Sequence, residues 1–424
     1  MNIVIRNGRL VDPKAALDAP LNLYLAEGRV AGIGRVPEGF VAEREIDAAG
    51  LVVAPGLIDL SARPVRLESE LTAAVAGGVT TLVCPPDLDP ILDEPELIER
   101  LRRESADLAL ARLLPLGALT QGLAGERLSE MAGLKRAGAI AFSQGKRPIL
   151  DTQALLRAFE YAATFGFSVW LQPQDYYLSR SGFAHDGEVS ARLGLAGIPV
   201  SAETVAIATT LTLAADTRVR LHLRRLSSAA GIAMVKKAQD EGVAVTCDVG
   251  IHHLLLSEAD IGFFDAQARF DPPLRSLADQ EKLGEGVALG VAALCSDHTP
   301  LDQDHKLKAF GEASPGATGL ELLLPLTLEW ARRAGRSHLE ALAPLTAHPA
   351  AILGRDDLGH LGVGAAADVI LFDPEARWEV KASTLKSFGK NSPFLNQTLA
   401  GQIQMTLIGG RIVHAENECQ ELQG

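Results

Sequence analysis

Eight apolar, β-prone runs alternate with helical segments along the middle of the chain, and this alternation restricts the fold more than any other feature. The runs are LIDLSAR, VTTLVCPP, LARLLPLGAL, GAIAFS, FSVWLQ, RVRLHLRRLS, VAVTCDVG and VAALCSD. Between them, segments such as EPELIERLRRESADLAL, DTQALLRAFEYAATFG and SAAGIAMVKKAQDEG carry apolar residues at i, i+3 and i+4 and end near Gly, as helices do. Eight such units predict an α/β fold, a TIM (β/α)8 barrel spanning 55–364.

The flanks have a different texture. NIVIRNGRLVD, LNLYLAEGRVAGIG and LVVAPG read as short strands separated by Gly, Pro and Asp turns, and ADVILFDP and QMTLIGGRIVHA repeat the pattern near the end. The segments 1–54 and 365–424 are therefore expected to pair into a small β-rich satellite domain beside the barrel. A length of 424 residues suits that division.

Charge and composition exclude several function classes. With 40 Lys and Arg against 53 Asp and Glu, the net charge of −13 repels a polyanion, so nucleic-acid binding is not expected. The opening MNIVIRNGRLVDP lacks the apolar stretch of a signal peptide, and no segment is long and apolar enough to span a bilayer, so no membrane association and a cytoplasmic location are expected. Cys84, Cys247, Cys295 and Cys419 show no CxxC spacing, and the first three end apolar runs, so they are expected as buried reduced thiols rather than metal ligands.

In a TIM barrel, chemistry sits at the C-terminal strand ends. Those ends supply Ser61, Arg63, Asp87, Thr120, Ser143, Gln144, Gln172, Arg225, Asp248 and Asp297. Hydrolytic zinc needs imidazoles and carboxylates converging on it, and this set offers amides, hydroxyls and guanidiniums instead.

The run VVAPGLIDL resembles the PGxxDxHxH opening of the amidohydrolase superfamily, and the whole chain is most similar to dihydroorotases. The likeness continues through AGGVTTLV, AGAIAFS, KKAQDEGVAVTCDVGIHHLLLSE, FDPPLRSLADQEKL and SDHTP. KSFGKNSPF resembles the KNTPF-like element that separates dihydroorotases from hydantoinases. Carried over position by position, the family's HxH pair becomes Ser61 and Arg63. Its metal-bridging residue falls in AFSQG, at Ser143 or Gln144, and its two later His ligands become Gln172 and Arg225. Asp297 matches the family's ligand and general base, and His298 a residue near substrate, so both are vestiges of the site. The substrate-binding Arg corresponds to Val65, with Arg66 displaced by one, and the substrate-binding Asn to Asp87. His252 and His253 match a PHHL element outside the ligand set and read as structural.

The resemblance thus implies a pseudoenzyme of pyrimidine biosynthesis that uses no cofactor and carries no zinc. In some bacteria such dihydroorotase-like chains assemble with aspartate carbamoyltransferase, which makes that enzyme the expected partner in an oligomeric assembly. Two further readings are an active dihydroorotase or related cyclic amidohydrolase with a metal-poor site, using Asp297 as base and an Arg on the carbonyl, and a small-molecule sensor using the barrel mouth. An Asp297 stripped of metal needs a cation, and Arg63 or Arg225 is expected to supply it, while His298 is expected to cap or fill the emptied mouth.

Overall fold

The computed structural model describes residues 1–416, so Cys419 lies outside the described residues. The eight runs form parallel strands: β1 (Leu57–Asp59), β2 (Val79–Cys84), β3 (Arg112–Pro115, continued by Gly117–Ala118), β4 (Phe142–Ser143), β5 (Ser168–Leu171), β6 (Arg220–Leu223), β7 (Val245–Gly250) and β8 (Ala292–Cys295). They fall into two sheets, one of three strands ordered β3-β2-β1 and one of six running from the second part of β3 through β4, β5, β6 and β7 to β8. Backbone hydrogen bonds link the sheets at both junctions. Leu116 N donates to Cys84 O at 2.9 Å where β3 changes sheet, and past β8 and β1, Arg63 N donates to His298 O at 3.0 Å and His298 N to Ser61 O at 3.1 Å.

The helices follow from local chemistry. Pro95, whose missing N–H is one the helix would leave unpaired anyway, opens Pro95–Leu108. Asp151 caps Thr152–Thr164 by accepting from Gln153 N at 2.8 Å, and Ser228 caps Ala229–Asp240 by accepting from Gly231 N at 3.0 Å. Each buries an apolar stripe in a core shared with the strands' outward face, including Ile98, Phe159 and Val235. On the strands' other face, Ile58, Val83, Leu116, Trp170 and Cys295 pack as a separate cluster.

The two ends of the chain share a sheet. Val369–Glu379, Thr398–Ile408 and Arg411–Ala415 join Val52–Pro55, Arg9–Asp12 and Leu17–Pro20 in one six-stranded sheet. Its buried side chains, among them Leu10, Val53, Leu371 and Leu407, pack with Ile3, Ile5 and Leu25 of a second, four-stranded sheet. Cys84, Cys247 and Cys295 are buried free thiols, and burial pushes each of them above the usual thiol range. Among the described residues no helix is long and apolar enough to cross a membrane.

Candidate functional site

The strand ends converge on a buried group of charges. Arg225 follows β6 with its backbone in the left-handed region (φ 56°), as does Asp297 after β8 (φ 45°). Such conformations are costly for residues with a Cβ and persist where surrounding contacts hold them. Here Arg225 N donates to Asp248 Oδ1 at 2.7 Å, and Asp248 is itself held by His222 Nε2 at 2.8 Å. The turn aims the Arg225 guanidinium at Asp297, with Nη1 2.9 Å from Oδ1. The same Nη1 donates to Asp271 O at 3.1 Å, and Nη2 donates to Gln172 Oε1.

Arg63, the other expected counter-ion, divides its charge. Its Nη2 pairs with Asp87 Oδ2 at 3.0 Å, while Nη1 lies 3.8 Å from Asp297 Oδ1. Asp87 is therefore neutralised rather than left to repel an anion. Gly145 sits against it in the left-handed region (φ +63°), and a Cβ there would fall 2.7 Å from Asp87 Cβ. The glycine lets the chain pass close enough for Lys146 N to donate to Asp87 Oδ2 at 3.3 Å.

These contacts set the protonation states. Burial opposes ionisation of Asp297, but the guanidinium of Arg225, supported by Lys146 and Arg63, outweighs it and holds the carboxyl below the usual range. For Asp87, Arg63, Lys146 and Arg224 overcome burial in the same way. Lys146 moves in the opposite sense: burial, followed by repulsion from Arg63 and Arg225, pushes its amine down to about 8.

The remaining strand-end residues are tied to one another. Ser61 Oγ accepts from Arg224 Nη2 at 2.8 Å, Ser143 Oγ from Gly145 N at 3.2 Å, and Gln144 Oε1 from Thr120 Oγ1 at 2.9 Å. Gln172 Nε2 donates to Gln174 Oε1 at 3.1 Å.

His298 departs from expectation. Rather than filling the mouth it is fully buried, with Nε2 2.7 Å from Glu70 Oε2 on helix Leu67–Ala76 and Nδ1 accepting from Gly319 N at 3.0 Å. Glu70 also accepts from Ser387 Oγ at 2.6 Å and Phe388 N at 3.0 Å, so it ties both His298 and the KSFGKNSPF segment to helix Leu67–Ala76. Asn391 of that segment donates from Nδ2 to Thr299 O and Gly316 O, both at 3.0 Å. Arg66 stacks its guanidinium over Phe388, 3.4 Å from the ring centroid, and Val65 is 60% exposed. His253 Nε2 donates to Pro272 O at 3.2 Å, and His252 packs between Phe270 and Phe394.

Sequence reasoning missed Arg224, Lys146, Glu70 and Asp271. Arg224 had a signal: in RLHL, Leu221 and Leu223 are apolar and face the helices, so His222 and Arg224 must face the interior.

A divalent cation does not fit this arrangement. The positions around Asp297 present two guanidiniums, a hydroxyl and an amide, and Arg225 already occupies the carboxylate at 2.9 Å. Among the described residues no group of three or more His, Cys, Asp or Glu could hold a metal ion.

Comparison with known proteins is consistent across the chain. Residues 50–230 match the dihydro-orotase-like family model and residues 256–414 the model of an amidohydrolase family. A "dihydroorotase-like protein" of Pseudomonas aeruginosa is 41% identical over 423 residues, covering 98% of this chain and 100% of that protein. A dihydroorotase of Geobacter sp. (strain M21) is 37% identical over 426 residues, covering 98% and 99%. Among solved structures, L-hydantoinase from Arthrobacter aurescens superposes with a TM-score of 0.86 at 25% identity, covering 98% of this chain and 96% of that one. Dihydropyrimidinase from Brevibacillus agri reaches 0.82 at 19% identity, covering 100% and 96%, a likeness of fold.

Proposed function

The chain belongs to the dihydroorotase-like amidohydrolases, and from that premise we propose that it is a non-catalytic member of pyrimidine biosynthesis, a structural partner of aspartate carbamoyltransferase. The observation that carries the reading is the Arg225–Asp297 contact at 2.9 Å. A carboxylate held ionised by a fixed guanidinium is a weak base, and a guanidinium does not bring bound water to a neutral pKa as zinc does. Chemistry needing an activated water therefore lacks its nucleophile here.

The proposed architecture is a closed TIM barrel over 55–364 with a satellite domain from 1–54 and 365–424, in a cytoplasmic, oligomeric protein. The backbone bonds at the two sheet junctions and the sheet shared by the chain ends support it.

The second reading, an active dihydroorotase or related cyclic amidohydrolase with an unusual site, is favoured by relatives that carry the name dihydroorotase. Metal analysis of the purified chain beside a dihydroorotase assay, with and without added zinc, separates the two. Zinc near one equivalent per chain with turnover would sink the non-catalytic reading. Co-expression with aspartate carbamoyltransferase followed by gel filtration tests the partnership. Separate elution at micromolar concentration, with carbamoyltransferase activity unaffected, refutes it.

A further inference from the structure

At the ring end, hydrophobic side chains are left in water at two places, and the two complement each other. The first is a cavity of about 140 Å³ beside Gln144 and Gln172, just past the ends of β4 and β5. Leu155 lies in its lining, and Leu150, Tyr176, Tyr177 and Val205 border it while remaining exposed. An apolar cavity of about 150 Å³ admits one benzene-sized ring. Exposed apolar residues scattered singly need no explanation, but a group of them around one ring-sized cavity marks a binding surface.

The second place is Phe263, in the connection that follows β7. It is 90% exposed, more than any other large hydrophobic side chain among the described residues. The turn presents it: Gly262 and Phe264, on either side, both have positive φ, 54° and 64°. Such a backbone is rare and costly for a bulky residue like Phe264. The chain thus holds a strained turn that places an aromatic ring in water. Phe264 supports that ring edge-on, with 5.5 Å between centroids.

Charge separates the two places in the same way. Between Ser257 and Ala268 the chain has Glu258, Asp260 and Asp265 and no basic residue. At the cavity, Arg147 lies in the lining, and the Arg180 guanidinium stands over the rings of Tyr176 and Tyr177 at 5.9 and 5.3 Å. Asp175 is there too, but its Oδ1 accepts from Leu178 N at 2.9 Å. At 0.1 M salt the Debye length is about 10 Å, so these local charges count at contact while the −13 of each whole chain is largely screened. Both places belong to connections leaving the C-terminal ends of strands, and the two connections touch, with Gln172 Nε2 donating to Asp271 Oδ1 at 3.4 Å.

We propose that this face is an interface between two copies of the chain, in which Phe263 of each copy enters the cavity beside Tyr176 of the other. Because ring and cavity share one end of the molecule, a two-fold axis can seat both at once, as a self-complementary contact requires. A buried aromatic anchor surrounded by weaker contacts is the usual centre of such an interface.

Analytical ultracentrifugation of the full chain from about 0.1 to about 100 μM, a span that covers non-obligate affinities, tests it. A monomer–dimer equilibrium is expected. Phe263→Ser and Val205→Lys, both at exposed positions and so compatible with folding, should each raise the dissociation constant by about tenfold or more. Mixed one to one, the two variants keep one intact contact, Phe263 of the second in the cavity of the first. The mixture should therefore associate more tightly than either variant alone. Val363→Ser, exposed where Gly364 meets Val30, should change nothing. A chain that stays monomeric throughout, a dimer indifferent to Phe263→Ser, or a mixture no tighter than its components overturns the proposal. The inference rests on the oligomeric reading above, and a dimer indifferent to both variants would remove this contact while leaving that reading intact.

Discussion

Replacing Arg225 with Met removes the built-in cation while keeping much of its volume. At an effective dielectric near 20, the attraction at the observed 2.9 Å is about 6 kcal/mol, against about 4 kcal/mol for Arg63 at 3.8 Å. Arg63 cannot substitute fully, because Asp87 claims it at 3.0 Å. The substitution also strips Gln172 Oε1 and Asp271 O of a donor. Breaking a buried pair from one side typically costs about 3–5 kcal/mol, and that is the expected loss for Arg225→Met, a large share of the roughly 5–15 kcal/mol that folded domains possess. The pH dependence gives a second handle. In the native chain Asp297 titrates below its unfolded value of about 3.9, so its contribution is present above about pH 4 and lost only as pH falls through the lower folded value. Without Arg225, burial dominates and the folded value rises above about 3.9, so the variant is penalised at neutral pH and recovers as acid protonates Asp297. Urea denaturation at pH 7 and pH 4.5 should show the gap to the native chain narrowing at the lower pH. Adding Asp297→Asn should restore much of the loss at pH 7. A loss below about 1 kcal/mol, or a gap that ignores both pH and Asp297→Asn, would refute the idea that the pair replaces the metal.

Three further outcomes are expected. Arg225→His should leave zinc content below about a tenth of an equivalent and dihydroorotase activity absent, since ligands act as a set; metal analysis and a turnover assay check it. Glu70→Ala removes the acceptor of His298, Ser387 and Phe388, so it should cost about 2–4 kcal/mol and speed tryptic cleavage at Lys386 and Lys390, followed by limited proteolysis. Lys146→Met should stabilise the chain by roughly 1 kcal/mol at pH 7, a figure discounted for partial exposure. Because the amine sits at about 8 in the folded chain and about 10.4 unfolded, that gain should fade as pH rises from 8 to 10 in thermal melts.

The strands and helices were legible because their apolar periods are strong and their caps local: Asp151 and Ser228 sit where the helical pattern begins. The pairing of Asp297 with an arginine was legible too, from the requirement that a buried carboxylate find a cation. Which arginine takes it was not. That depends on Asp87 drawing Arg63 aside and on the left-handed turn at Arg225, neither of which has a local signature. Glu70 was invisible for a related reason. An acidic residue in the first turn of a helix reads as a solvated end, and its real partners, His298 and Ser387, lie 228 and 317 residues away in the chain.

The shared guanidiniums also make the present state hard to leave. Arg63 holds Asp87 and Arg225 holds Asp297, so a lineage restoring either histidine first would strand a buried carboxylate before any metal could bind. Each intermediate would be several kcal/mol less stable and still inactive, so selection would oppose the opening step of every such route. On the non-catalytic reading proposed above, the arrangement works as an evolutionary ratchet: a descendant gaining hydrolysis must change several strand ends together or start from a different site.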